Sequence, residues 1–169
     1  NEGTIVREEV NMEKMLVSGV AVDKNATRIA VVGLKDEPGV AFHLFNALAK
    51  YNINVDVILQ SIGRDGTKDI SFTVAEDVQD EAVANIQKSF PKSDYKKIDE
   101  EKDVAKLSIV GAGMMSNPGV AASMFEALYD CGVNIKMIST SEIRVTVLID
   151  QKYVERAINA VHDKFSLAD

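Results

Sequence analysis

Short stretches of alternating or continuous apolar residues in this chain are separated by longer stretches with helical spacing. Arg28–Leu34 is apolar and rich in β-branched residues, which favours a buried strand. After Asp36-Glu37-Pro38-Gly39, apolar residues return about every fourth position, which predicts a helix with one apolar face from Pro38 to about Tyr51. Because proline lacks an N–H, it suits the first position of that helix.

The next stretch, Ile53–Gln60, alternates with a period of two, and its apolar positions Ile53, Val55, Val57 and Leu59 predict one buried strand face. Gly63–Thr67 then suits a hairpin connection, followed by a strand over 70–74. A helix over about 83–90, ending near Pro91, and a short strand over 94–98 complete the order βαββαβ. This order is that of the ferredoxin-like split unit.

The same pattern recurs 80 residues later. Between Gly33–Ser61 and Gly113–Ser141, roughly 11 of 29 aligned positions are identical, including Pro-Gly-Val-Ala at 38–41 and 118–121. The second copy predicts strands over 105–110, 134–139 and 143–149, helices over 118–129 and 153–165, and Asn117 as a helix N-cap. No fourth strand follows, so the alternating segment Met15–Val22 is predicted to fill that place in the second sheet.

These patterns predict an α+β fold of two ferredoxin-like βαββαβ units packed together, with the first inserted into the second. The first unit is expected to span 26–100, and the second 14–24 plus 101–166. The acidic cluster between them, Asp99 to Asp103, is interpreted as a solvated linker.

Composition excludes several classes of function. A net charge of −7, without a basic run, argues against nucleic-acid binding. The single cysteine, Cys131, forms no intrachain disulfide, and no apolar stretch is long enough for a membrane helix, so we expect a cytoplasmic protein without membrane association. The chain begins with Asn, which indicates a fragment or processed product.

The D-x-P-G turn between the first strand and helix, within a βαββαβ unit, resembles the ACT domain, a small-molecule sensing module. The tandem arrangement is similar to the regulatory region of aspartate kinases. Four segments carry this resemblance: Val17–Ala41, Asn52–Ser61, Ser108–Ala121 and Asn134–Ile149.

The resemblance implies a regulatory region without its kinase domain, since the lysine- and glycine-rich nucleotide motif of those kinases is absent. Residues 1–13 would then be the remainder of the kinase-domain junction. It further implies threonine or lysine as effector for feedback inhibition, a homodimer formed through ACT domains, and the catalytic subunit of aspartate kinase as partner. No cofactor or metal is expected.

The residues themselves suggest how an amino acid would bind. Backbone N–H groups at a helix start, with the positive end of the helix dipole, suit a carboxylate, and Gly39 permits close approach of the ligand. The ammonium group needs acceptors, for which Asp36 and polar residues of the second strand are candidates. The resemblance to the ACT domain implies that this strand lies beside the first, so that its start faces the same turn. The predicted effector site comprises Asp36, Pro38, Gly39, Val40, Ala41, Asn54, Val55, Asp56 and Gln60, with Asn134 and Ile135 from the second copy.

The second copy has Ser116 for Asp36 and Lys136 for Asp56, so it is less suited to an ammonium group. Two alternatives remain open. The repeats could form a pure dimerisation or assembly module without a ligand. The chain could also be an enzyme that uses Asp36, Asp56 or Glu142 for acid–base chemistry, although no nucleotide motif supports this.

Overall fold

Two long strands supply backbone to both structural units of the protein. The computed structural model describes residues 17–63, 65–112 and 117–165. One unit, called the first unit below, comprises residues 25–104, and the other, the second unit, comprises the described residues of 1–24 and 105–169. The division falls inside strands β1 and β4, so the first unit is inserted into the second, as predicted.

The elements follow the order predicted from the sequence. The strands are β1 (Val17–Lys35), β2 (Ile58–Ile62), β3 (Thr67–Val74), β4 (Lys97–Gly111), β5 (Met137–Thr140) and β6 (Arg144–Asp150). The helices are α1 (Val40–Ala49), α2 (Gln79–Ser89), α3 (Pro118–Asp130) and α4 (Val154–Lys164). Short 3-10 turns at Glu76–Val78, Lys92–Asp94 and Gln151–Tyr153 precede α2, β4 and α4.

Each unit is a four-stranded sheet with two helices on one face. The strand order is β2-β3-β1-β4 in the first unit and β1-β4-β6-β5 in the second. The core of the first unit includes Leu44, Phe72 and Ile86. That of the second includes Met124 and Val161. Of the helices in the described residues, none is long and apolar enough to cross a membrane.

The N-terminal part of β1 belongs to the second unit, as the missing-strand argument predicted. The hydroxyl of Ser18 donates to the carbonyl of Val110 at 3.1 Å, which ties β1 to β4 there. Met15 and Leu16, the start of the predicted strand, lie outside the described residues. Instead of two separate strands, 15–22 and 28–34, the chain forms one continuous β1, which runs through the potential turn residues Asp23 and Asn25.

Three other expectations are wrong. The acidic cluster around Glu101 is part of β4 and not a linker, since Thr27 donates its hydroxyl to the Glu101 carbonyl at 3.0 Å. The strand predicted over 53–60 is regular only from Ile58, and Leu59 is 46% exposed, because β2 is an edge strand with every residue exposed. The strand predicted to begin at Asp94 begins at Lys97.

Candidate functional site

The Pro-Gly turn of the first unit connects the end of β1 to α1. Gly39 has a φ of 92°, and α1 begins only at Val40, so Pro38 is not the first helical residue as expected. The Gly39 carbonyl accepts the first intrahelical bond, from the N–H of His43 at 2.9 Å. No side chain caps α1 at this end. The N–H groups of its first turn therefore have no intrahelical partner and no side-chain cap, and such groups at a helix start are suited to bind an anion.

Asp36 lies at the start of this turn and is already paired with a cation. Its Oδ1 is 3.6 Å from Nζ of Lys68 on β3, and its N–H donates to the Gly66 carbonyl at 3.0 Å. The Lys68 side chain is only 9% exposed, whereas that of Asp36 is 38% exposed. Lys68 is not among the site residues predicted from the sequence. Its alternation with Ile70 and Phe72, both core residues, is the signal that could have placed it on the buried face.

The end of β1 is held by a glycine-dependent contact. Gly33 has a φ of 75°, at an irregularity in the β1–β3 register, and its N–H donates to Oδ1 of Asp69 at 2.9 Å. A Cβ at Gly33 would lie 2.8 Å from Cβ of Lys96. This position therefore requires glycine both for its backbone angle and for the space.

Asn54, Val55 and Asp56 precede β2 at the other end of the sheet. The Asp56 N–H donates to the Thr73 carbonyl at 3.0 Å, whereas the Pro-Gly turn adjoins β1 where Lys35 pairs with Thr67. Thr73 lies six positions along β3 from Thr67, a span of about 20 Å.

β2 was expected to lie beside β1 and to bring its start to the turn. That expectation is wrong, because β3 lies between the two strands. Gln60 pairs with Ile70, partway along the sheet. One copy of the first unit therefore does not bring Asn54–Asp56 to its own Asp36–Ala41 turn.

The Pro-Gly turn of the second unit has a different conformation from that of the first. Here Pro118 is the first residue of α3, Gly119 is helical, and the N–H of Val120 donates to the Asn117 carbonyl at 3.0 Å. Asn117 occupies the N-cap position without a side-chain bond to the helix, and Ser116 lies outside the described residues.

Asn134 and Ile135 of the second unit occupy the place that Asn54 and Val55 occupy in the first. The N–H of the next residue, Lys136, donates to the Leu148 carbonyl at 2.8 Å. The Lys136 ammonium lies 3.4 Å from Oδ1 of Asp150. The charge at this place is thus opposite to that of Asp56.

Apolar side chains are exposed on the edge strand β2 and on helix α1 of the first unit. Ile58, Leu59 and Ile62 on β2 are 49, 46 and 73% exposed, and Phe42 on α1 is 66% exposed. An open edge strand with apolar side chains is a surface that another strand can cover.

Histidine, cysteine and metal-binding groups were also considered as functional candidates in this structure. His43 is exposed and its ring lies 5.7 Å from that of Phe42. Cys131 is half-buried, and its thiol donates to the Leu128 carbonyl at 3.4 Å, which fits a packed thiol. Among the residues that the structure describes, no three His, Cys, Asp or Glu side chains are grouped to hold a metal ion.

The sequence was compared with protein families and curated proteins. The ACT domain family matches residues 29–90 and 107–165, more than half of the chain. An aspartokinase of Helicobacter pylori is 44% identical over 99% of this chain, which spans 42% of that protein. The chain thus covers about two fifths of the length of such curated relatives.

Two solved structures match over nearly their whole length. The regulatory subunit of aspartate kinase from Thermus thermophilus is 39% identical, with a TM-score of 0.83 over 89% of this chain and 99% of that one. A chain from a structure of aspartokinase alpha and beta subunits is 45% identical, with a TM-score of 0.82 and the same coverage. The chain therefore belongs to the ACT domain family and comprises the tandem ACT regulatory part of an aspartate kinase.

Proposed function

We propose that this chain is an allosteric sensor that binds threonine or lysine and thereby mediates feedback inhibition of aspartate kinase. The observation that carries this proposal is the separation, within the first unit, of two complementary half-sites. The turn 36–41 offers N–H groups for a carboxylate and the Asp36 carboxylate for an ammonium group, and 54–56, at the far end of the sheet, offers an amide and a second carboxylate for the same ammonium group.

A homodimer would unite these half-sites. If two β2 edges pair antiparallel across a two-fold axis, the end of one β2 meets the start of the other. The turn of one copy then adjoins Asn54–Asp56 of the second copy, and two equivalent sites result. The apolar residues Ile58, Leu59 and Ile62 support this pairing because it would remove them from water.

The effector would control the kinase by its preference for one arrangement of the paired units. A ligand shifts such an equilibrium only by its differential affinity for the two states. Coupling free energies of about 1–3 kcal/mol are typical and correspond to about 5- to 150-fold changes in affinity. The structure of aspartokinase alpha and beta subunits supports a catalytic subunit as the partner.

Thermal unfolding with L-threonine and L-lysine, added singly and together, tests this function. At about 100 times its Kd, a ligand stabilises the native state by about 2.7 kcal/mol, which raises Tm by about 5–11 °C for a chain of this size. Asn54→Ala should abolish the rise, and Asn159→Ala, an exposed change on α4, should preserve it. The absence of any rise with the unmodified chain would refute the sensor.

Mixed dimers test whether the site is shared. Asp36→Ala and Asn54→Ala should each prevent binding in their own homodimers. An equimolar mixture of the two variants should regain about a quarter of the ligand-binding capacity, because random exchange makes half of the dimers mixed and one of the two sites in each mixed dimer is intact. No recovery by titration calorimetry would contradict a site shared between copies.

The alternative is an assembly module without a ligand. The exposed β2 edge favours it, because that surface predicts a dimer whether or not an amino acid binds. In that case sedimentation analysis would show a dimer that Ile62→Lys dissociates, and no amino acid would change Tm.

A further inference from the structure

We infer that the Lys68 ammonium competes with the effector ammonium group for the Asp36 carboxylate. This competition sets the affinity and selectivity of the first unit's site. This inference rests on the proposed function and identifies a residue that regulates that site. Its basis is the ion pair between Lys68 and Asp36, the acidic residue of the Pro-Gly turn.

The burial of Lys68 is unusual for a lysine. It lies on the helix-covered face of β3, in register with Leu34 on one side and Ile62 on the other. The residue is 7% exposed, so its aliphatic stem extends the apolar row of Ile70 and Phe72. Buried ammonium groups require a partner, and Asp36 is the partner that the structure provides at 3.6 Å.

The pair affects what Asp36 can do for a ligand. An amino-acid ammonium at Asp36 would lie beside the Lys68 ammonium and be repelled by it, since like charges a few ångströms apart interact unfavourably. An effector must therefore displace the Lys68 ammonium or share the carboxylate with it. The 3.6 Å separation exceeds ordinary hydrogen-bond length and leaves Asp36 Oδ1 open to a closer donor.

The second unit has neither the turn carboxylate nor the lysine of this ion pair. Asp36 corresponds to Ser116 in the repeat alignment, and the shorter second hairpin has no strand position for a lysine. Counted back along β6 from the paired strands, the place of Lys68 falls on Ile143, in the turn before β6. The lysine thus occurs in the unit with the turn carboxylate and is missing from the unit without it.

The test compares Lys68→Met with the unmodified chain in titration calorimetry with L-threonine and L-lysine. Lys68→Met keeps the length and apolar stem but removes the ammonium, so Kd for at least one of the two should fall about two- to fivefold, the range of a partly exposed ion pair. Lys68→Gln is a second neutral variant and should shift Kd in the same direction.

Two controls separate this effect from general electrostatics. Lys97→Met removes an equal charge from another ion pair of the first unit, that with Asp99 at 3.5 Å, and should leave Kd unchanged. Lys68→Arg retains the charge and should keep Kd near that of the unmodified chain. In an Asp36→Asn background, Lys68→Met should no longer tighten binding.

The possible results distinguish the two proposals. If the unmodified chain binds an amino acid and the neutral variants bind it equally or more weakly, the competitor role of Lys68 is overturned and the sensor function stands. Weaker binding would assign Lys68 to the effector carboxylate instead. If neither the unmodified chain nor Lys68→Met binds either amino acid, both proposals are overturned.

Discussion

Residues 38–41 and 118–121 have the same sequence, Pro-Gly-Val-Ala, but adopt different backbone conformations. In the first unit Gly39 has a φ of 92° and the helix follows it. In the second unit Gly119 is already helical and Pro118 begins the helix. The four shared residues therefore determine that a strand passes into a helix here, whereas the flanking residues determine the backbone conformation of the turn. In the first unit those flanking contacts are made by Asp36, bonded to Gly66 and Lys68.

The opposite relation holds in the second halves of the two units. Here sequence identity is low, yet α2 and α4 bury equivalent residues: Ala82 and Ala157, Ile86 and Val161, Phe90 and Phe165. These pairs are 75 residues apart, whereas Leu44 and Met124 are 80 apart, so the second hairpin is shorter by five residues. The size and burial of these residues are repeated although most of the residues around them differ between the two helices.

The largest effect is expected when equivalent core side chains are removed from the two units. Leu44 and Met124 are both fully buried, in α1 and α3. Leu44→Ala and Met124→Ala should each lower the free energy of unfolding by about 2–5 kcal/mol, because each leaves a cavity. Urea titration followed by circular dichroism measures the loss. Phe42→Ala, at a 66% exposed position, is the control and should cost less than half as much. A loss below about 1 kcal/mol at either core position would refute equivalent packing.

A smaller effect should separate the two turn glycines. Gly39→Ala forces an L side chain into the left-handed region and should cost about 1–2 kcal/mol. Gly119→Ala replaces a helical glycine and should be neutral or stabilising by up to about 1 kcal/mol. Differential scanning calorimetry of the two variants measures the difference. Equal losses would show that both turns need the same backbone conformation.

The smallest effect concerns the hairpin that only the first unit has in its longer form. The pKa of Asp65 is lowered from its ordinary value of 3.8, mainly because the Thr67 hydroxyl donates to its Oδ1 at 2.6 Å. A carboxyl group with a lowered folded-state pKa stabilises the fold above its unfolded pKa. That contribution is lost as pH falls through the folded value.

Thr67→Val should therefore raise the Asp65 pKa toward 3.8. An NMR titration of the side-chain carboxyl carbon between about pH 2 and 6 measures this. Ser141→Ala, in the second hairpin, should leave the Asp65 titration unchanged. An unchanged pKa in Thr67→Val would rule out the hydroxyl as the cause.

The order of elements and the insertion of the first unit were predictable from the sequence because periodicity and the internal repeat depend on local residues. One apolar face was predicted for the helix after Pro38, and Leu44 and Leu48 on that helix are buried. The position of each strand within the sheet was harder to predict from the sequence. Leu59 alternates like a buried residue but lies on an edge strand, which the pattern alone does not reveal.

The candidate site was predicted only as separate pieces. The turn at Asp36–Gly39 followed from its residue types, but its distance from Asn54–Asp56 depends on β3 lying between β1 and β2. The Lys68 partner of Asp36 is 32 positions along the chain and is brought close only by the β1–β3 register. Whether the eleven predicted residues bind an effector stays a prediction.

The insertion within β1 and β4 also has a consequence for biosynthesis. The first unit has all of its residues once position 104 has been made, whereas the strand segment 17–24 needs residues from 105 onward to complete its own sheet. At translation rates of about 5–20 residues per second, that segment emerges several seconds before its partners. The inserted unit can therefore fold first on the ribosome and bring the two ends of its host together.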